Sequence, residues 1–579
     1  MCIPSYNSIY IYNMQKMSTA LKNIPDKPLL LSVCMNIAFL AIYLAIGNGK
    51  FNSLDDYFMS SVLTGAYGGQ YDVHMYFINV IYGYFLKPFY ALFPNVGWYS
   101  VFQTFTVFAS FTTMCFVAIE RFGKKLGTML AIMLLICVSP DFYLNVAFTQ
   151  CAGIATAAGI FLFAIGNIER KRSYVVAACA FMLVGIIFRI NMFQLGMPTL
   201  AAILFFNLIR EKSIWKGSLI ALASLALVYV GVGKFNDAHY KGEYEYYAAY
   251  QGPRAYFGDG AFYDSDAFVA ELEDRDMVSR DFRYLRAWYF YDNNVFSLDS
   301  MRALIKIADR NRYVPNYAKM PFAVMRAVSN TLLKGSVWCW ALLCIAIIFF
   351  SNRRNWWVPW VSIGLISIPY TYLLMVNRVV GHVEVGVWVF AVIFVLSFIQ
   401  KEDILDKKQT NSFLQIIGLV CIASLIISGT YVVFDRVSKG PKVIGETTAD
   451  WMAFRDYAKA HPDDAFLLPF GRYKDFATNI NHVYAAVEPG SWNNIYSTGY
   501  WNIHLPAMER ELNKRGVSNI IKDVWHDNVY VIADEDALSL APFYHDHYHE
   551  QLAIDTVMHF GNINLLKYRK GGADENAQH

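Results

Sequence analysis

Long apolar stretches alternate with short basic connections along most of this chain. Runs near Leu29–Ile46, Trp98–Ile119, Leu126–Ser139, Gln150–Asn167, Ser173–Arg189, Met192–Ile209, Gly217–Val232, Thr331–Phe350, Trp356–Val376, Val383–Ile399 and Phe413–Phe434 each predict a helix in lipid. About 20 apolar residues cross a hydrocarbon core, and a helix satisfies its own backbone there. Val73–Phe93 is a further candidate, but it holds Lys87-Pro88 and is crowded with Tyr76, Phe77, Tyr82, Tyr84, Phe85, Phe89 and Tyr90. Such aromatic density suits the membrane interface, so the segment reads as an outer-surface or re-entrant helix; the alternative is a true twelfth span.

The basic residues orient the spans. Arg121/Lys124/Lys125, Arg170/Lys171/Arg172, Arg210/Lys212/Lys216, Arg353/Arg354 and Lys401/Lys407/Lys408 are each separated from the next by two apolar runs, so all five clusters fall on one side. The positive-inside rule makes that side cytoplasmic. The opposite side then receives Lys50–Asp72, Gly233–Asn330 and the tail after Asp435. Lys16, Lys22 and Lys27 require an even number of spans before Arg121, which holds when Val73–Phe93 stays out of the membrane. Leu29–Ile46 is long for a signal-peptide core and reads as an uncleaved span.

Composition agrees: 56% of the 579 residues are hydrophobic and 16% charged, which excludes an ordinary soluble protein. The fold class is therefore a polytopic α-helical membrane protein of about 11–12 transmembrane helices. Its parts are an N-terminal module (1–232) with an acidic first outer loop (47–72), a helical extracytoplasmic cap (233–330), C-terminal spans (331–434) and an extracytoplasmic α/β domain (435–579). In that last part Thr447–Ala460 and Leu505–Arg515 have helical spacing, Ala465–Leu468 and Val529–Ile532 read as short buried strands, and Ile554–Met558 with Ile563–Tyr568 as a terminal strand pair. Of nine cysteines only Cys2 lies outside an apolar run, so disulfides do not hold the polar segments.

Few residues carry chemistry. Asp55 and Asp56 stand side by side where the chain leaves the first span. They read either as a solvated first turn capped by Ser53, or as a base that takes a proton from an incoming hydroxyl. Arg189 ends an apolar run, and Arg378, His382 and Glu384 cluster in one outer turn. Ionisable groups at such depth have partners or ligands. Arg378 pairs internally with Glu384, or it joins Arg189 in clamping a phosphate. His545, His547 and His549 would share a face on a strand, but no further ligand spacing supports a metal. There is no phosphate-loop or nucleic-acid motif.

A first span, an outer loop opening on an acidic pair, many further spans and an outer soluble domain resemble the GT-C superfamily of integral-membrane glycosyltransferases. The chain also resembles bacterial multi-pass proteins associated with surface polysaccharides, in SSVLTGAYGGQYDVHMYFINVIYGYFLKPFY, QGPRAYFGDGAFY, RDFRYLRAWYFYDNNVFS and STGYWNIHLPAMERELNKRGVSNIIKDVWHDNVYVI. The GT-C resemblance implies a polyprenyl-phosphate-linked sugar donor, a glycan or glycolipid acceptor and Asp55 or Asp56 as the catalytic base; a location in the bacterial cytoplasmic membrane goes with it. Arg378, Arg189 and His382 are the expected donor-phosphate contacts. No cofactor is required, and a divalent metal stays open. Rival readings are a surface-polysaccharide polymerase and a transporter or flippase without chemistry.

Overall fold

The computed structural model describes residues 27–571 apart from 48–49, 145, 211–214, 260–264, 274–276, 278, 313–316, 351–352 and most of 400–446. The first helix, α1 (Pro28–Ile46), leads to a short helix α2 (Leu54–Leu63) and then to α3 (Val80–Leu92). A bundle follows: α4 (Trp98–Phe122), α5 (Lys124–Cys137), α6 (Phe148–Ile168), α7 (Arg172–Phe188), α8 (Ile190–Arg210) and α9 (Trp215–His239). The cap contributes α10 (Glu245–Gly258), α11 (Ser265–Glu273), α12 (Ser279–Arg286), α13 (Leu298–Arg310) and α14 (Met320–Ser329). The chain re-enters the bundle as α15 (Gly335–Phe350), α16 (Trp357–Met375) and α17 (Gly381–Phe398).

Seven described helices are long and apolar enough to cross a membrane: α1, α4, α6, α8, α9, α16 and α17. The molecule is thus a helical, membrane-embedded protein, and among the described residues seven of the predicted apolar runs form helices of that length. Leu126–Ser139, Ser173–Arg189 and Thr331–Phe350 fold as helices of 14, 17 and 16 residues. Phe413–Phe434 lies almost wholly outside the described residues, as do the lysines of 401–408. Helix α3 has 13 residues, about 20 Å of rise, too short to span.

The bundle's two ends are chemically distinct. At one end Arg121 donates to the Ser397 and Ile399 carbonyls at 3.0 and 2.9 Å, and Lys171 meets Glu120 at 2.7 Å. Arg121 and Lys171 belong to two of the basic connections, and the structure gathers both at one end of the bundle with the C-terminus of α17. At the other end the Phe148 N–H donates to Asp56 at 3.2 Å, and Asn79 N–H to the Ile187 carbonyl at 3.0 Å. Between Lys27 and Arg121, α1 and α4 are the two described helices long and apolar enough to cross a membrane.

Helix α6 is the axis of the bundle, with 94% of its apolar window buried, against 11% for α9. Small residues permit this. A methyl at Gly159 would sit 2.8 Å from the Ala178 carbonyl oxygen, and one at Gly185 2.2 Å from Thr156 Oγ1, so α6 and α7 approach closely.

The C-terminal part is a separate α/β unit. Helix α18 (Thr448–Ala460) opens on a capping box at Thr447 and Asp450. Strand β1 (Ala465–Leu468), helix α19 (Phe470–Ile480), β2 (Ile495–Ser497), α20 (Pro506–Lys514), β3 (Val529–Ile532), α21 (Leu540–Tyr548), β4 (Leu552–Phe560) and β5 (Ile563–Lys570) follow. The sheet order is β2-β1-β3-β5-β4, parallel from β2 to β3 and antiparallel thereafter. The predicted strands at Ala465–Leu468 and Val529–Ile532 have those bounds in the structure.

The cap grips this unit as well as the bundle. Phe290 N–H donates to the Thr498 carbonyl at 2.8 Å, and Asn519 to Asp292 at 2.9 Å. The predicted cap boundary at 233 falls inside α9, which continues to His239. The loop after α2 also docks here: Gly490 and Trp492 N–H donate to the Gly65 and Ala66 carbonyls at 2.8 and 3.0 Å. Gly65 turns with φ +75°, where a methyl would strike the Gln70 backbone at 2.6 Å.

Candidate functional site

Helix α2 positions both acids. Ser53 caps it, accepting from the Asp55 N–H at 3.2 Å, and the carboxylates of its first turn meet the positive end of the helix dipole. Successive helix residues point about 100° apart, so the neighbours face different surroundings.

Asp56 points into the bundle and is fully buried. Its Oδ1 accepts from Tyr99 O–H at 2.7 Å, Gln103 Nε2 at 3.0 Å and Phe148 N–H at 3.2 Å, while Oδ2 has no partner. One carboxyl therefore ties α2 to α4 and to the N-terminus of α6. Burial pushes Asp56 up to about 7; its three donors oppose the shift and neighbouring Asp55 adds to it.

Asp55 is partly exposed, and its Oδ1 accepts from the indole N–H of Trp501 at 2.7 Å. Burial raises it above the usual carboxylate range, while Arg189, the Trp501 N–H and Arg254 pull it back down. Trp501 in turn lines a cavity of about 770 Å³ at this end of the bundle. Three guanidinium groups, Arg189, Arg312 and Arg378, share its wall with the carboxylates of Asp237 and Asp259. Ile190 and Val376, at helix ends, bring the wall down to the apolar part of the bundle.

Arg189 sits at the break between α7 and α8. Its guanidinium lies over the rings of Phe77 and Phe148, at 5.3 and 4.8 Å, and donates to Thr149 Oγ1 at 2.9 Å. That aromatic cradle holds a planar cation without neutralising it. Arg378 is paired with Asp259 of the cap. The expected Arg378–Glu384 pair is not formed, because Glu384 meets Lys334 at 3.2 Å and Tyr370 O–H at 3.2 Å instead.

Of the residues singled out in the sequence, Arg189 and Arg378 line the cavity and Asp55 joins it through Trp501. Asp56 faces away, and His382, in the first turn of α17, is not on the wall. The histidines of 545–549 lie on a helix and its cap, not a strand; His547 Nε2 contacts Asp281 at 2.8 Å. Among the described residues no group of three or more His, Cys, Asp or Glu could hold a metal ion.

Two important residues escaped sequence reasoning. Arg254 is fully buried, with its guanidinium 3.6 Å from the Trp501 ring centre and 4.6 Å from that of Trp288. It bonds Gln251 Oε1 at 2.8 Å and the Gly499 carbonyl at 3.0 Å, and its Nη2 has no partner. Burial lowers it to about 10. Tyr76, at φ +32°, stacks on the other tryptophan neighbour of the site, with its ring 5.2 Å from Trp501. Backbone strain of that kind concentrates at ligand sites. In comparisons with known proteins, no family model and no curated protein matches the chain.

Proposed function

We propose that this chain is a GT-C-type membrane glycosyltransferase. It moves a sugar from a polyprenyl-phosphate donor to a cell-envelope glycan, on the outer face of the bacterial cytoplasmic membrane. One observation carries this reading: the Asp55 carboxylate, fixed by Trp501, stands beside a cavity whose wall holds Arg189, Arg312 and Arg378 at the end of the apolar bundle.

The chemistry follows from that placement. Asp55 accepts the proton of the acceptor hydroxyl, whose oxygen attacks the anomeric carbon. The bond from that carbon to the phosphate oxygen breaks, its electron pair leaves with the polyprenyl phosphate, and configuration inverts. A phosphodiester donor carries one negative charge and the departing monoester approaches two. Three guanidiniums set against two carboxylates leave the wall a modest positive excess that grows in value as this charge develops. A diphosphate-linked donor would bring more charge than this wall balances, which favours the transferase over the polymerase. Asp56, walled off from the cavity, holds the framework.

Purified full-length protein in nanodiscs, given membrane lipid extract with labelled lipid-linked sugars, tests the assignment. Asp55→Asn is expected to lower transfer by about 10²–10⁴, while Asp56→Asn keeps most of it. Undiminished transfer by Asp55→Asn would rule the base out.

A further inference from the structure

A second cavity, of about 420 Å³, lies on the far side of the wall formed by residues 71–76. His74 lines it, and the His74 ring meets Tyr240, on the wall of the first cavity, at 5.2 Å and Tyr244 at 3.6 Å. A single aromatic layer therefore separates the two spaces. Four parts of the chain build the second one: the loop after α2, helix α3, the start of the cap and α20.

Its lining is polar and aromatic. Tyr71, Tyr84, Tyr244, Gln70, Asp72 and Lys87 contribute, and among the described residues Val73 and Ala507 are its only aliphatic side chains. That excludes an acyl chain as occupant. Helix α3 explains the position. Phe85 and Leu92 on one face are 48% and 71% exposed, as befits the lipid interface, while Tyr84 and Lys87, three apart, face the cavity. Arg510 is neutralised by Glu243, and Lys514 by Glu511 at 2.6 Å. Lys87 has no such partner among the described residues. Tyr84 is 44% exposed, and its ring meets Phe235 and His239 in T-shaped contacts rather than being stacked over by either.

We propose that this cavity binds a saccharide, with Tyr84 stacking on the C–H face of a sugar ring and Lys87 holding an acidic substituent. Flat amphipathic rings suit aromatic faces, and hydroxyls suit the Gln70 amide on the wall. Its role as holder of the acceptor glycan rests on the transferase reading; the binding itself does not.

Saturation-transfer NMR on the detergent-solubilised full chain tests it without any turnover. Glucose and glucuronate, differing at one carbon, serve as probes. Both should receive saturation, glucuronate about threefold more strongly. Lys87→Gln should bring glucuronate down to glucose, and Tyr84→Ala should remove both signals; both residues are exposed, so the fold is retained. Asp55→Asn should change neither signal, so failure of the transferase reading leaves this result standing. No transfer to either sugar, or transfer indifferent to both variants, or loss in Asp55→Asn, would overturn the assignment.

Discussion

Asp55 and Asp56 are neighbours on one helix turn and belong to different regions of the molecule. Asp55 accepts from the indole N–H of Trp501, a residue on the wall of an arginine-lined cavity. Asp56 looks into the bundle, where three donors converge on a single oxygen. The difference teaches that two adjacent acids on one turn are two devices, one held by a single indole beside a cavity wall and one that fastens three helices. Substituting each separately breaks the comparison open.

The largest expected effect is on stability. Asp56→Ala strands the Tyr99 hydroxyl, the Gln103 amide and the Phe148 N–H in a buried site. It should cost about 3–5 kcal/mol, read as thermal unfolding in detergent. Asp55→Ala removes one bond at a partly exposed position and should cost about 1 kcal/mol. Equal losses in the two variants would contradict the division of labour.

The next effect separates the two by pH. Asp56 is raised to about 7 when folded, while an unfolded Asp titrates near 4. Between those values the folded state holds a proton that the unfolded state has released. Stability from this group is therefore complete below about pH 4, falls as pH rises to about 7, and is level above. The span is about 4 kcal/mol. Asp56→Asn keeps an oxygen acceptor and cannot ionise, so its unfolding curve should lose this slope. A slope equal to that of the parent protein would show that Asp56 titrates alike in both states.

On the cavity side the effect is smaller and kinetic. Trp501→Phe keeps a ring beneath Arg254 and deletes the N–H that favours the Asp55 carboxylate. Asp55 should then rise further, so the acid limb of transfer moves to higher pH, with a roughly tenfold loss at the optimum. An unmoved acid limb would mean that the indole serves packing alone.

How far the sequence foretold all this depends on the range of the interaction. Local signals were readable: Ser53 as a cap, the aromatic Val73–Phe93 as a segment that does not span, and the four-residue strands at Ala465–Leu468 and Val529–Ile532, whose side chains are almost wholly buried. Strand β2 was missed because three residues, Ile495–Ser497, are too few to show a period. The apolar run at Thr331–Phe350 marked a helix but overstated its length, and the run at Leu126–Ser139 was shifted by two residues from its helix, since hydropathy reports what is greasy and not where the chain turns. The site was legible only as a set of candidates. Which of the two acids meets Trp501 and which meets Gln103 depends on helix phase against partners far along the chain. Arg254 had no signal at all, because its buried seat is made by Trp288 and Trp501.

The smallest effect sharpens the comparison within the cavity wall. Arg189 is held by Phe77, Phe148 and Thr149 at the bundle end, whereas Arg312 comes from the cap and is exposed. A fixed cation near the reacting centre stabilises developing charge, so Arg189→Gln should lower kcat. An exposed one has water on one side and salt to screen it, so it aids ground state and transition state alike. Arg312→Gln should therefore raise the donor KM about threefold at low salt, leave kcat unchanged, and lose its effect near 0.5 M salt. If kcat falls instead, Arg312 closes onto the phosphate during the reaction and the cap is part of the catalytic wall.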